Sequence, residues 1–191
     1  MRKTLIAILM ALALVVIPVG NAFAATSQDV TVTATPSYIC IVVAPSDYNI
    51  GGAGVKIAKA TTYYSKVGSE TVAPSATVLD AECAFTITNT STVATNITVN
   101  FPHFTGGDAM QNIDTGYTTN GANAFGASGY VSGLAWPGGA VILKNTGSAA
   151  LISSLGATTN KKFGFAIKTQ SGDWTSGDAM TSVVTVTATA A

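Results

Sequence analysis

The chain has 191 residues, with nine basic residues, nine acidic residues and a single histidine, so its formal net charge at neutral pH is zero. Charged residues make up only 9% of it and hydrophobic ones 48%. Arg2 is the only arginine and the lysines form no cluster, which excludes the electrostatic footprint of a nucleic-acid binder and gives no grip on an anionic membrane surface.

Residues 1–24 read as an export signal. Arg2 and Lys3 supply the positive start, Thr4 to Val19 the apolar run, and Ala22-Phe23-Ala24 a small-x-small cleavage site. The run is short for a membrane span and Pro18 interrupts its end. The expected mature chain starts at Ala25 and carries seven basic against nine acidic residues. It is exported, to the extracellular space or the cell surface, with no membrane contact after cleavage. Its length suits one domain with a sizeable core.

Residues 25–36 contain the first copy of a repeated hexapeptide, VTVTAT. Val30, Val32 and Ala34 alternate with Thr31, Thr33 and Thr35, the pattern of a half-buried strand. Pro36 ends that ladder, so the segment reads as an arm in front of a single domain over residues 37–191. Cys40 follows in the apolar run YICIVV, and Cys83 shares its parity with Phe85 and Ile87 on the core side of a strand. Two cysteines in an exported chain point to a disulfide between Cys40 and Cys83, worth about 4 kcal/mol in the chain-entropy picture.

Asp80 and Glu82, two apart, are expected on one solvated face of a strand rather than as a catalytic acid pair. Alternation continues through Phe85 and Ile87, then Ile97, Val99 and Phe101. Asn89-Thr90-Ser91 and Asn96-Ile97-Thr98 match the glycosylation pattern, making Asn89 and Asn96 candidate acceptors. His103, in FPHF, has no nucleophile elbow to serve and reads as a strand-end residue. Residues 105–129, rich in Gly, Asn and Thr, break the strand rhythm and read as a long solvated insertion. Asp108, Asp114, Asp173 and Asp178 fall in Gly-rich turns at spacings that match no calcium loop.

GDAM occurs twice, at 107–110 and 177–180, each read as a turn followed by a methionine entering the core. Trp136 and Trp174 lie at turns, where aromatic rings can stack on sugars. Phe163, Phe165 and Ile167 alternate with Lys162 and Lys168. The second VTVTAT closes the series, with Val184, Val186 and Ala188 against Thr185, Thr187 and Thr189. Many short Thr- and Val-rich strands between Gly and Asn turns predict an all-β fold, an antiparallel two-sheet sandwich of jelly-roll or Ig-like kind. No catalytic residue, metal ligand set or cofactor site is expected.

The stretch FTITNTSTVATNITVNF, Phe85 to Phe101, resembles segments of the TasA and camelysin-like matrix fibre proteins and their archaeal bundling-pilin counterparts. The resemblance implies a jelly-roll subunit that polymerises when an N-terminal strand completes the sheet of the next copy. The expected function is therefore a non-enzymatic subunit of an extracellular filament (a pilus or matrix fibre) or surface layer, with copies of itself as partners. Val30 to Thr35 and Val184 to Thr187 are the expected assembly strands, the alternative being that the two copies pair with each other inside one subunit and leave it a monomer. The rival is a secreted carbohydrate-binding or adhesion module that meets surface glycans through Trp136 and Trp174.

Overall fold

Phe85, Ile87 and Asn89 are buried on one side of their strand while Thr86 and Thr88 are half-exposed on the other. The same period-two pattern, imposed by a pleat that sends successive side chains to opposite faces, recurs along much of the chain. The computed structural model describes residues 39–50, 56–68, 70–118, 121–176 and 178–191. The signal over 1–24, the arm over 25–36 and the first VTVTAT copy lie outside the described residues.

In chain order the strands are β1 (Ile41–Ala44), β2 (Thr62–Tyr64), β3 (Phe85–Asn89), β4 (Thr95–Asn100), β5 (Gln111–Asn112), β6 (Ala124–Val131), β7 (Val141–Leu143), β8 (Ala149–Leu155), β9 (Asn160–Lys168) and β10 (Thr185–Ala190). The only helical piece among the described residues is one 3-10 turn, Asp80–Glu82. The fold is thus all-β, in two sheets. The larger runs β1-β3-β9-β6-β5, with β2 also on β9 and β7 also on β6. The smaller runs β10-β4-β8 and is antiparallel throughout. The larger sheet departs from the expected antiparallel plan, because β5 pairs with β6 in parallel.

One hydrophobic cluster draws on both sheets: Ile87, Phe125, Leu143 and Phe163 from the larger, and Ile97, Val99, Leu151 and Leu155 from the smaller. The opposite face of the larger sheet carries a second cluster of Tyr64, Val78, Cys83, Tyr130 and Ala166, with Tyr117 and Trp136 packed on it. Both faces of the larger sheet are therefore covered, and β6 is buried at every one of its eight residues. This corrects the reading of 105–129 as a solvated insertion for residues 124–129, while most of the described residues before them are exposed. AFGASGYV looks weak as a strand because small residues are what a strand covered on both faces can hold. A side chain on Gly129 would begin 2.7 Å from Leu151, and one on Gly164 of β9 would begin 2.4 Å from the Tyr130 ring.

Candidate functional site

The second VTVTAT forms β10, in register with β4 from Thr185 opposite Asn100 to Ala190 opposite Thr95. Val186 and Ala188 face Val99 and Ile97 on the inward side. Val99 and Ile97 are 0% exposed, whereas Val186 and Ala188 are only half-buried. The difference comes from position, since β4 has neighbours on both sides and β10, among the described residues, pairs with β4 alone.

The same holds at the margin of the larger sheet. Ile41 and Val43 of β1 lie opposite Asn89 and Ile87. Those two are fully buried, while Ile41 and Val43 are half-buried against the shared core. Two margins thus show apolar side chains with incomplete cover and strands that pair on one side only among the described residues. Neither β1 nor β10 carries a charged side chain, the usual device that discourages edge pairing.

Elsewhere strands and turns are tied together by side-chain amides, buried at Asn89 and Asn112 and half-exposed at Asn100. Asn89 Nδ2 donates to the carbonyls of Val93, Leu155 and Gly156 at 2.9, 2.9 and 3.0 Å. Asn112 Nδ2 donates to Phe101 and Leu143, and Asn100 Nδ2 to Lys144, Asn145 and Gly147. These amides add donors to carbonyls at strand ends and in the turns between strands.

The expected Cys40–Cys83 bridge is not formed, and both thiols are free. Thr90 N–H donates to the Cys40 carbonyl, which places Cys40 at one end of β3, and Cys83 lies before the other end. Seven residues of extended chain put on the order of 20 Å between them, against the 7 Å limit for bridging Cα atoms. Cys40 is exposed and Cys83 buried. Burial, with help from the nearby Asp80 and Glu82 carboxylates, pushes the Cys83 thiol up to about 11.

Glu82 also departs from expectation. It lies in the 3-10 turn, buried rather than solvated. Burial alone would raise its pKa, but hydrogen bonds from Leu79 N–H, from the Ser75 hydroxyl and N–H, and from Lys66 Nζ hold it at about 2. Its hydrogen-bonded carboxylate anchors a loop over the second cluster. Asp80 is not part of that network, so the two acids form no pair.

His103 accepts Asn112 N–H at Nδ1, a positioning bond at a strand end. The turn aspartates have other partners. Asp108 accepts from the Thr175 hydroxyl and from the N–H groups of Thr175 and Ser176, which lower its pKa. Asp114 accepts Asn145 N–H, Asp178 the Ser176 hydroxyl, and Asp173 pairs with Lys59. Among the described residues no three His, Cys, Asp or Glu side chains gather as a metal site would require. The two GDAM segments meet in space, a relation the sequence did not signal. Thr105 bridges Thr181, and a side chain on Gly107 would begin 2.6 Å from the Asp178 carbonyl. Met110 is buried in the shared core and Met180 packs against it.

The two tryptophans are not brought together. Trp136 stacks on Tyr117 with ring centroids 4.9 Å apart, beside Tyr64 and Tyr130 in the second cluster. Trp174 packs on the shared core instead. The two sequons also part company: Asn89 is fully buried, and Asn96 is half-exposed on the outer face of β4. Compared with known protein families, with curated protein sequences and with solved structures, the chain matches none. The edges and clusters above must therefore carry the functional argument alone.

Proposed function

We propose that the protein is a non-enzymatic structural subunit of an extracellular filament or surface layer. Its two sheets pack as a sandwich of jelly-roll or Ig-like kind, and copies join by strand addition, as in the matrix fibre proteins that Phe85 to Phe101 resembles. The observation that carries this reading is the state of β10. An uncharged edge strand leaves Val186 and Ala188 half-covered, and the chain holds a second copy of the same hexapeptide at Val30 to Thr35. A strand laid against β10 would pair with the side that has no partner among the described residues and cover those side chains, the β-augmentation mode of recognition. Contacts of this kind between identical subunits are head-to-tail and propagate unless they close a ring.

The test compares the mature chain with a version lacking residues 25–35, by electron microscopy and light scattering. The full chain forms filaments that an added VTVTAT peptide caps, and the shortened one stays small. Filaments that form equally well without the arm would end the proposal.

A second reading, a glycan-binding module, rests on the half-buried Trp136 with Tyr117 at the surface of the second cluster. It loses Trp174 as a partner. Polysaccharide retention abolished by Trp136→Ala and untouched by Trp174→Ala would favour it.

A further inference from the structure

We infer that Asn96 carries an N-linked glycan, and that Asn89, which matches the same sequence pattern, does not. The distinction lies in what each amide can spare. At Asn89 both Nδ2 hydrogens serve three backbone carbonyls, Val93, Leu155 and Gly156, and the side chain is 0% exposed. Its Oδ1 also accepts Ser91 N–H. A sugar there would break the tie between β3 and the turn after β8, so a glycan at Asn89 is incompatible with this fold.

Asn96 is built differently. Its Oδ1 accepts Ser154 N–H at 3.0 Å, and its Nδ2 makes one long, exposed contact of 3.4 Å to the Ala190 carbonyl. Glycosylation uses one of the two Nδ2 hydrogens and leaves Oδ1 and its Ser154 bond intact. The sequon also presents well, because Ile97 points inward at 0% exposure while Asn96 and Thr98 share the outer face. Around them lie Thr187 and Thr189, opposite Thr98 and Asn96, with Ser153 and Ser154 on the neighbouring strand, all short and uncharged. These described neighbours are too short to overhang the amide, and the hydroxyls offer a sugar hydrogen-bond partners.

The donor is a lipid-linked diphospho-oligosaccharide. Nδ2 forms the bond to the anomeric carbon, the carbon–oxygen bond to phosphate breaks, and the lipid diphosphate leaves with the electron pair. The displaced Nδ2 proton passes to a base of the transferring enzyme. This inference shares with the filament reading only the need for export. It does adjust that reading, because a glycan on the second strand from the margin shields the outer face of the smaller sheet and leaves the β10 edge free.

The experiment is intact-mass measurement and site mapping of the protein recovered outside its own cells, as wild type, Asn96→Gln and Thr98→Ala. The wild type is expected to exceed its polypeptide mass by a saccharide mapped to Asn96, and both variants to lose it. A bare polypeptide mass, a mapped position at Asn89, or an increment that survives both substitutions would overturn the inference. Filaments of bare mass would sink the glycan alone; a glycosylated protein that never assembles would sink the filament reading alone.

Discussion

Asn89 of β3 and Leu155 of β8 belong to different sheets, and a 2.9 Å hydrogen bond from the Asn89 amide to the Leu155 carbonyl joins them. Asn89→Ala removes the amide donor from that carbonyl and from those of Val93 and Gly156, the last of which keeps its bonds from Thr159. Unmet buried acceptors of this kind make the expected loss roughly 2–4 kcal/mol. Urea denaturation measures it, and a midpoint close to that of the wild type would show that water replaces the amide.

Gly164 and Tyr130 are the next such pair. A β-carbon at 164 would overlap the Tyr130 ring, which lies across the glycine on the neighbouring strand. Gly164→Ala is expected to cost about 2–3 kcal/mol by overpacking. Combined with Tyr130→Ala it should cost less than the two single losses together, because the clash disappears with the ring. Thermal unfolding of the four proteins in the cycle checks the coupling.

Glu82 ties stability to acid. Its pKa is lowered from the ordinary 4.5 to about 2, so the folded state binds its proton more weakly than the unfolded chain does. The stabilisation is complete above about pH 4.5 and is lost as pH falls toward 2, to the extent of about 3 kcal/mol. Glu82→Gln is expected to flatten that part of the unfolding free energy against pH, and an unchanged slope would assign the acid sensitivity to other groups.

The thiols should behave as two separate residues. One equivalent of an alkylating reagent is expected to react with the native protein, at Cys40, and a second only after denaturation. Cys83 resists through burial and a pKa of about 11. Mass spectrometry of the native reaction checks this, and two rapid equivalents would mean that the second cluster opens readily.

Ala188→Lys tests the β10 margin without removing any chain. An inward-pointing charge at an edge strand opposes pairing, and at a half-buried site the lysine stem can reach water. If copies join by the proposed strand addition, assembly should be lost while the melting temperature moves by only a few degrees. Filaments that persist would place the joint elsewhere.

Much of the strand plan was legible from alternation alone. β3, β4, β9 and β10 stand where Phe85 and Ile87, Ile97 and Val99, Phe163 and Phe165, and Val186 and Ala188 recur every second residue. β6 was not legible, because burial on both faces removes the alternation and crowding by Leu143 and Leu151 leaves room only for glycine at 129. Glu82 was misread because a two-residue spacing suggests a strand face, whereas a 3-10 turn carries it inward onto Ser75 and Leu79 N–H groups. The cysteines misled for a related reason. Parity says which face a residue takes and nothing about its height along the strand, and height is what separates Cys40 from Cys83. The edge status of β10 depends on which strands lack neighbours, and that is set by the whole sheet order.

Val186 of β10 lies opposite Val99 of β4, 87 residues earlier in the chain. Synthesis runs from the N-terminus, so β4 gains β8 first and must wait through β9 before its second flanking strand, β10, arrives. Pairing across so long a loop is slow to nucleate. The smaller sheet therefore completes only once β5 to β9 have emerged and β10 follows, and until then the β10 edge does not exist as a surface. Timing alone then separates delivery from association: a half-delivered chain has no completed edge to offer a neighbour.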